Sequence, residues 1–221
     1  KRFLDAERAY LAIAQLGASS EYYELALYKL GWTFYKQELH EEALHEYVAL
    51  LDYKVSTGYD FDHAKDEDEE RRIADTYRVV SLCFSNLGGP DEVQKYFTAN
   101  GERSYEDRIY SGLAEFYLEK LRYQDAAASY NAFVALHPLH RQSPHFSMRV
   151  VEVYEKGGFP KLVLESKKAF AASYGLLLHG SGRLRVQAGL HYVAINLAAS
   201  SLFLVGAALL YGVTGTLNMA D

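Results

Sequence analysis

Residues 26–47 read ALYKLGWTFYKQELHEEALHEY, with apolar side chains at the spacing of a helical face. Gly31 and Ala43 lie inside this pattern, and Phe34 and Tyr47 are the aromatic residues that follow them. A glycine in a helix interior costs about 1 kcal/mol relative to alanine. Because helices that cross closely need small side chains at the contact, the stretch predicts two helices that cross at Gly31 and Ala43. A large side chain at Gly31 should then cost about 1–3 kcal/mol through overpacking.

The same arrangement of small, apolar and aromatic residues recurs along the chain. In a unit that starts at residue 24, positions 7, 8, 11, 20 and 24 hold Leu30, Gly31, Phe34, Ala43 and Tyr47. Units that start at 74 and 107 fill these positions with Val80, Ser81, Phe84, Val93 and Phe97, and with Leu113, Ala114, Tyr117, Ala126 and Tyr130. Ala6 and Tyr10 fit a truncated unit, and a degenerate unit starts near Pro144. The pattern predicts a helical repeat.

These units resemble the tetratricopeptide repeat (TPR) family, whose repeat is a 34-residue pair of antiparallel helices. The resemblance covers residues 1–170 and is strongest in the unit from 107, which also has Pro138 at position 32. Two departures are Leu27 at position 4 of the first unit and an insertion of about sixteen residues after that unit. The resemblance implies an all-α superhelix of antiparallel helix pairs over residues 1–171, the predicted first domain.

In this family the first helix of each pair lines a concave groove that binds peptides or proteins. The residues that the resemblance places there, and that we expect to contact a partner, are Tyr28, Trp32, Tyr35, Lys36, Arg78, Asn86, Glu115 and Glu119. Trp and Tyr are enriched at binding hot spots, although Trp32 could instead pack against the neighbouring unit. Relatives that hold chaperone C-termini use Lys and Asn where this chain has Tyr28 and Trp32, so a peptide with apolar anchors is expected.

The C-terminal part of the chain has a different composition, because no Lys, Arg, Asp or Glu occurs from Val186 to Ala220. This run exceeds the roughly 20 apolar residues that span a bilayer, so residues 186–213 predict a hydrophobic, transmembrane-like helix. The stretches ASYGLLLHG, HYVAINL and LLYGVTGTLNMAD lie within residues 172–221, the predicted second domain. They resemble part of the D subunit of the multisubunit sodium/proton antiporters.

The antiporter resemblance implies a membrane protein, but it lacks one expected residue. Members of that family carry an essential glutamate about two turns before the serine–tyrosine pair that corresponds to Ser173 and Tyr174. The matching position here holds Lys167. Transport by this chain alone is therefore not expected.

Several functions are compatible with the two parts. We expect a non-catalytic protein–protein interaction scaffold, tethered to a bacterial inner membrane if the C-terminal segment is native, and otherwise in the cytoplasm or periplasm. The alternatives are a fragment of the membrane subunit of a cation/proton antiporter, a chimera of two unrelated proteins joined near Phe170, or a soluble protein whose C-terminal helix folds back into the groove. The start at Lys1, without methionine or a signal-peptide pattern, favours a fragment.

Other chemistry is disfavoured by composition and spacing. The net charge of −6 argues against nucleic acid as a partner. The acidic insertion fails a calcium-loop pattern, since Lys65 and Arg71 occupy its glycine and final glutamate positions. No cofactor or metal is expected, zinc being disfavoured for three loop histidines, His137, His140 and His145. Cys83 has the position of a buried packing residue.

Overall fold

The computed structural model describes residues 2–63 and 66–179, and in these ranges the chain is helical without β-strands. The predicted all-α class is confirmed for this part of the chain. A short 3₁₀ helix covers Gly17–Ser19. The α-helices are α1 (Arg2–Ala14), α2 (Tyr23–Lys36), α3 (His40–Ser56), α4 (Glu67–Leu87), α5 (Pro90–Asn100), α6 (Glu106–Glu119), α7 (Tyr123–Leu136), α8 (Ser143–Gly157) and α9 (Pro160–His179).

Two compact units divide the chain, Lys1–Ser166 and Lys167–Asp221. In the second unit the described residues belong to the end of α9, where the rings of Phe170 and Tyr174 lie 5.0 Å apart. Within the ranges that the structure describes, α-helices of sufficient length and apolarity to cross a membrane are not found. The predicted span, residues 186–213, lies outside those ranges, and the predicted domain boundary after residue 171 stays a prediction.

One turn geometry recurs in four consecutive helix pairs, α2–α3, α4–α5, α6–α7 and α8–α9. In each turn the amide of the sixteenth residue of the unit donates to the carbonyl of the eleventh. These hydrogen bonds join Leu39 N to Phe34 O (3.1 Å), Gly89 N to Phe84 O (2.7 Å), Arg122 N to Tyr117 O (2.9 Å) and Phe159 N to Tyr154 O (3.0 Å). The same turn geometry therefore joins the two helices of all four pairs.

A positive φ angle precedes the donor residue in all four turns. Gly88 and Gly158 adopt φ of 142° and 73°, and Glu38 and Leu121 adopt 64° and 59°. Glycine takes such angles without steric cost, whereas other residues rarely do. The turns at Glu38 and Leu121 are therefore held by the packing of the helices on either side, because their sequence does not favour the conformation.

The core is built from the positions that recur in the sequence. An added Cβ at Gly31 would lie 2.9 Å from the Cε2 and Cζ atoms of Tyr47. Ala43 and Tyr47 are fully buried, as are Ala114 and Ala126 of the unit from 107. The close contact predicted at Gly31 is confirmed, and the side chain that needs the space is the Tyr47 ring.

The insertion is more ordered than the solvated loop that its acidic sequence suggests. Tyr59 and Phe61 are half-buried, with rings 5.1 Å apart, and Phe61 also lies 6.0 Å from the ring of Tyr77. The carboxylate of Asp62 accepts a hydrogen bond from Arg108 at the start of α6. Aromatic packing therefore fixes residues 59–62 against α4 and α6.

Contacts around the insertion also connect α3 to the segment before α6. The Asp52 carboxylate accepts hydrogen bonds from the Arg103 guanidinium at 2.8 Å and from the Tyr105 hydroxyl at 2.7 Å. On the same helix, the buried ammonium of Lys54 forms ion pairs with Glu24 of α2, at 2.6 Å, and with Glu69 of α4. These polar contacts join the first helix pair to the two pairs that follow.

Candidate functional site

The predicted partner-binding residues of α2 lie on one side of that helix. Tyr28, Trp32, Tyr35 and Lys36 are spaced i, i+4, i+7 and i+8, which places them on one face. The three aromatic side chains are half-buried and Lys36 is exposed. The rings of Trp32 and Tyr35 meet edge to face, with centroids 5.6 Å apart.

A single carboxylate on α4 organises this face. Asp75 Oδ2 accepts hydrogen bonds from the Tyr28 hydroxyl at 2.7 Å and from Trp32 Nε1 at 3.0 Å. Its other oxygen, Oδ1, accepts two from Arg78, from Nε at 3.0 Å and Nη2 at 2.5 Å. Both oxygens are therefore used, and the orientation of the indole is set by a residue of the next repeat. We refer to Tyr28, Trp32, Tyr35, Lys36, Asp75 and Arg78 as the Trp32 cluster.

The electrostatics of the Trp32 cluster keep Asp75 ionised. Partial burial would raise the pKa of Asp75, but hydrogen bonds from Tyr28, Arg78 and Trp32 outweigh it, so the pKa lies below its ordinary value. Burial, followed by the hydrogen bond to Asp75, raises the pKa of the Tyr28 hydroxyl. Tyr28 stays protonated and acts as a donor, and Asp75 acts only as an acceptor.

Two cations flank the indole of Trp32. The Lys36 ammonium lies 5.2 Å from the Trp32 ring centroid and 6.0 Å from that of Tyr35. The guanidinium carbon of Arg78 lies 5.8 Å from the Trp32 ring. All three distances are in the range of cation–π attraction. The side chain of Trp32 therefore packs against the neighbouring repeat through Asp75 and Arg78 and also keeps part of its surface open.

A second polar cluster forms around Glu115 on α6. Its Oε1 accepts hydrogen bonds from the Tyr130 hydroxyl at 2.6 Å and from Arg149 Nη2 at 2.5 Å. Arg149 also pairs with Glu152 at 2.7 Å. Burial would raise the pKa of Glu115, but the bonds from Tyr130 and Arg149 lower it below its ordinary value. Glu115 is thus held by a cation from α8, whereas the cation at Asp75, Arg78, lies on the same helix as Asp75.

The eight predicted residues thus separate into groups. Five of them, the Trp32 cluster without Asp75, lie together, and Glu115 belongs to the second polar cluster. Asn86 is exposed and its amide donates to the Leu82 carbonyl of its own helix. Glu119 is exposed at the end of α6.

Sequence reasoning missed Asp75 and Arg149 as organising residues. A usable signal exists for both, because each is a charged residue on the first helix of the repeat after its partner. Asp75 follows Trp32 by 43 residues and Arg149 follows Glu115 by 34. The length of the insertion obscured the first of these pairings.

The loop histidines are engaged with other groups rather than with each other. His137 and His140 lie 4.9 and 5.1 Å from the ring of Phe133. His137 Nε2 also lies 3.6 Å from the buried carboxylate of Glu106, whose pKa is raised, chiefly by burial. These residues line a cavity of about 260 Å³. Among the residues that the structure describes, no group of three or more His, Cys, Asp or Glu side chains could hold a metal ion.

Comparison with known proteins gives partial matches. No family model matches the chain. The chain is 78% identical over 51 residues to the D subunit of a probable K(+)/H(+) antiporter from Rhizobium meliloti (strain 1021), a match that covers 23% of the chain and 10% of the relative. It is 52% identical over 50 residues to the D subunit of a Na(+)/H(+) antiporter from Alkalihalophilus pseudofirmus, again with 23% and 10% covered. The N subunit of the NADH-quinone oxidoreductase from Desulforudis audaxviator matches at 46% over 50 residues, with the same coverage.

These matches confirm the predicted similarity to the antiporter D subunit over about 23% of the chain. The chain spans about a tenth of the length of the curated relatives that it matches.

Proposed function

We propose that the C-terminal segment, residues 172–221, is a piece of the membrane region of the D subunit of a cation/proton antiporter. The observation that supports this proposal is the 78% identity to the Rhizobium meliloti relative over 51 residues. The stretches that resemble this family occur in residues 172–221, and we therefore assign the match to that segment. The role of the segment in this chain would be insertion into a bacterial inner membrane.

We further propose that the chain does not exchange cations by itself. Its segment corresponds to about a tenth of the relatives. The resemblance places the glutamate expected in that family just before the segment, at the position of Lys167. A lysine offers no acceptor oxygen for a cation, so it does not supply what a carboxylate supplies at that position. The segment would act as a membrane tether for the helical unit.

Fractionation tests the membrane proposal. The full chain is expected in the membrane fraction, resistant to extraction by high salt and alkali, whereas a chain ended at Ala171 is expected to be released. Everted vesicles that contain the full chain should show no K⁺- or Na⁺-dependent proton movement above vesicles without it. Release of the full chain by salt would overturn the tether, and cation-dependent proton exchange would overturn the proposal that it does not transport.

For the helical unit we propose a TPR-type superhelix that binds a partner protein without catalysis. Three features support this proposal: the turn hydrogen bond that recurs in four helix pairs, the buried small residues at equivalent positions, and the assembly of five predicted groove residues around Trp32. The carboxylates of Asp75 and Glu115 have lowered pKa values. A general acid at neutral pH needs the opposite shift, so these two groups suit recognition better than proton transfer.

Partner retention tests the binding proposal. The full chain, purified in mild detergent from membranes of its host, is compared with the variants Trp32→Ala and Leu139→Ala. Leu139 is 84% exposed and lies outside the Trp32 cluster, so its variant is the matched control. A protein that the parent and Leu139→Ala retain and Trp32→Ala loses would support the proposal. Equal retention by all three would count against a binding role for the Trp32 cluster.

The two proposals also apply if the two parts belong to different proteins. A transcript that runs without interruption across the codon for Phe170 would show that one natural chain carries both. Separate transcripts would establish the chimera, and each proposal would then concern its own part.

A further inference from the structure

We infer that the Trp32 cluster binds an acidic–apolar segment of a partner protein, in which carboxylates flank an apolar or aromatic side chain. This inference rests on the proposed binding function of the helical unit and adds the chemical class of the partner. Two adjacent observations support it. The aromatic rings keep part of their surface open, and the lysines beside them have aromatic rings, rather than carboxylates, as neighbours.

The charge of Arg78 is already balanced within the Trp32 cluster. Asp75 neutralises it, with two hydrogen bonds to one carboxylate oxygen. The other oxygen of Asp75 is occupied by Tyr28 and Trp32. Asp75 therefore has little capacity left to attract a second cation, and it does not neutralise Lys36.

Lys36 has no carboxylate within ion-pair distance among the described residues, and neither has Lys29. Instead the Lys36 ammonium lies over Trp32, and the Lys29 ammonium lies 5.6 Å from the Tyr28 ring. Both side chains are exposed. The α2 face thus presents two lysine charges beside its aromatic rings.

The acidic side chains near Lys29 and Lys36 either bond to other groups or lie beyond the end of α2. Glu24 of α2 pairs with Lys54 and with Arg72. Glu7 of α1 accepts a hydrogen bond from Gln37. Glu38 lies in the turn after α2, and among the described residues it forms no ion pair with Lys36. The positive character of the face is therefore not cancelled by these neighbours.

The spacing defines what would fit. Lys29, Trp32 and Lys36 are related by i, i+3 and i+7, so they follow one another along one side of α2. At about 1.5 Å rise per residue, the two lysine positions are about 10 Å apart along the helix axis, with the indole between them. An extended segment spans that distance in about three residues. An apolar side chain on Trp32 with a carboxylate on each side matches this order of groups.

The alternatives are disfavoured by the same arrangement. A basic segment would place its cations beside Lys29, Lys36 and Arg78, and like charges that face each other across an interface are costly. A purely apolar segment would leave both lysines without a counter-charge. Aromatic rings favour a desolvated apolar contact, so the carboxylates supply selectivity, and the rings supply most of the contact area.

A charge-swap experiment tests the inference on the full chain in non-ionic detergent. The probes are three fluorescein-labelled twelve-residue peptides with the same leucine and phenylalanine positions. Their remaining positions are aspartate, asparagine or lysine. We expect the aspartate peptide to bind about five- to tenfold more tightly than the asparagine peptide, since exposed ion pairs contribute modestly, and the lysine peptide to bind most weakly. Fluorescence anisotropy measures the three affinities.

The decisive variant is the double substitution Lys29→Glu with Lys36→Glu. It should reverse the order, so that the lysine peptide binds best, while the affinity of the asparagine peptide changes little. Lys161→Glu is the control, since Lys161 is exposed at the start of α9 and should leave the order unchanged. Circular dichroism of all variants shows whether the helices are retained.

Two results would overturn the inference: equal affinity of the parent for the aspartate and asparagine peptides, or an unchanged order in the double variant. Absence of binding by all three peptides up to about 1 mM, the limit of weak recognition, would overturn it too. The proposed binding function is judged separately, by the retention of a natural partner in the parent and its loss in Trp32→Ala. An uncharged or basic partner found in that way would leave the function intact and refute the charge preference.

Discussion

Replacing Gly31 with alanine should have two effects of opposite sign on the stability of the fold. Alanine gains about 1 kcal/mol of helix propensity over glycine. Its methyl group, however, would lie 2.9 Å from two atoms of the Tyr47 ring, where ordinary contacts begin at 3.4 Å, so the ring must move by about 0.5 Å. Tyr47 is fully buried and its ring meets that of Tyr28 with centroids 6.3 Å apart. Overpacking of this kind costs about 1–3 kcal/mol. The expected net change is a destabilisation of about 1 kcal/mol.

Gly112→Ala provides the matched control. Gly112 lies inside α6, and an added Cβ there would meet one atom within 4 Å, the Ser81 hydroxyl oxygen at 2.9 Å. The Ser81 hydroxyl is buried and donates to the Tyr77 carbonyl at 2.9 Å, so moving it weakens one hydrogen bond, whereas Gly31→Ala displaces a whole buried ring. Because alanine also gains about 1 kcal/mol of helix propensity, we expect Gly112→Ala to be clearly less destabilising than Gly31→Ala.

Urea unfolding of the full chain in mild detergent, followed by tryptophan fluorescence, measures both effects. Trp32 is the single tryptophan of the chain and lies on the same helix as Gly31. In a double-mutant cycle, Tyr47→Leu should remove most of the penalty of Gly31→Ala, with a coupling energy of about 1–2 kcal/mol. The reasoning is refuted if Gly31→Ala is as stable as Gly112→Ala, or if the cycle shows no coupling.

Three further outcomes are expected. Asp75→Asn should shift the fluorescence of Trp32 and increase its quenching by iodide. The parent should show a similar shift below about pH 4, because the pKa of Asp75 is lower in the folded than in the unfolded chain. Such a carboxylate stabilises the fold at pH values above its unfolded-state pKa, and this contribution is lost as the pH falls through its folded-state pKa. Lys54→Met should lower the free energy of unfolding, measured in urea, by about 1–3 kcal/mol, because it leaves two partly exposed glutamates without their shared cation. Cys83, whose pKa burial raises to about 12, should react with a thiol reagent at least about 100-fold more slowly in the folded chain than in urea; comparable rates would show that its site is open.

The sequence predicts the helices and their buried positions because these depend on local periodicity. The spacing of small residues predicts a close contact at Gly31, whereas the structure was needed to show that the Tyr47 ring is what contacts it. The positive φ of Glu38 and Leu121 could not be predicted, since neither residue favours that conformation and tertiary packing imposes it.

The organisation of the Trp32 cluster was harder to predict than its membership. The TPR resemblance groups Tyr28 and Trp32 by repeat position, but their common partner Asp75 lies beyond the insertion. Which residue contacts them depends on how α2 and α4 pack, and a short stretch of sequence does not determine that packing. The packing of Tyr59 and Phe61 could not be predicted either, because their acidic neighbours are typical of a solvent-exposed loop.

The polar contacts that Asp52 and Asp62 make with Arg103, Tyr105 and Arg108 have a mechanical consequence. A stack in which each helix pair touches just the adjacent pair extends under tension one pair at a time. Here these polar contacts also connect the first pair, and the insertion that follows it, directly to the start of the third pair. Stretched in an optical trap, this protein should yield its fourth pair early, and the first three should then rupture together at a higher force.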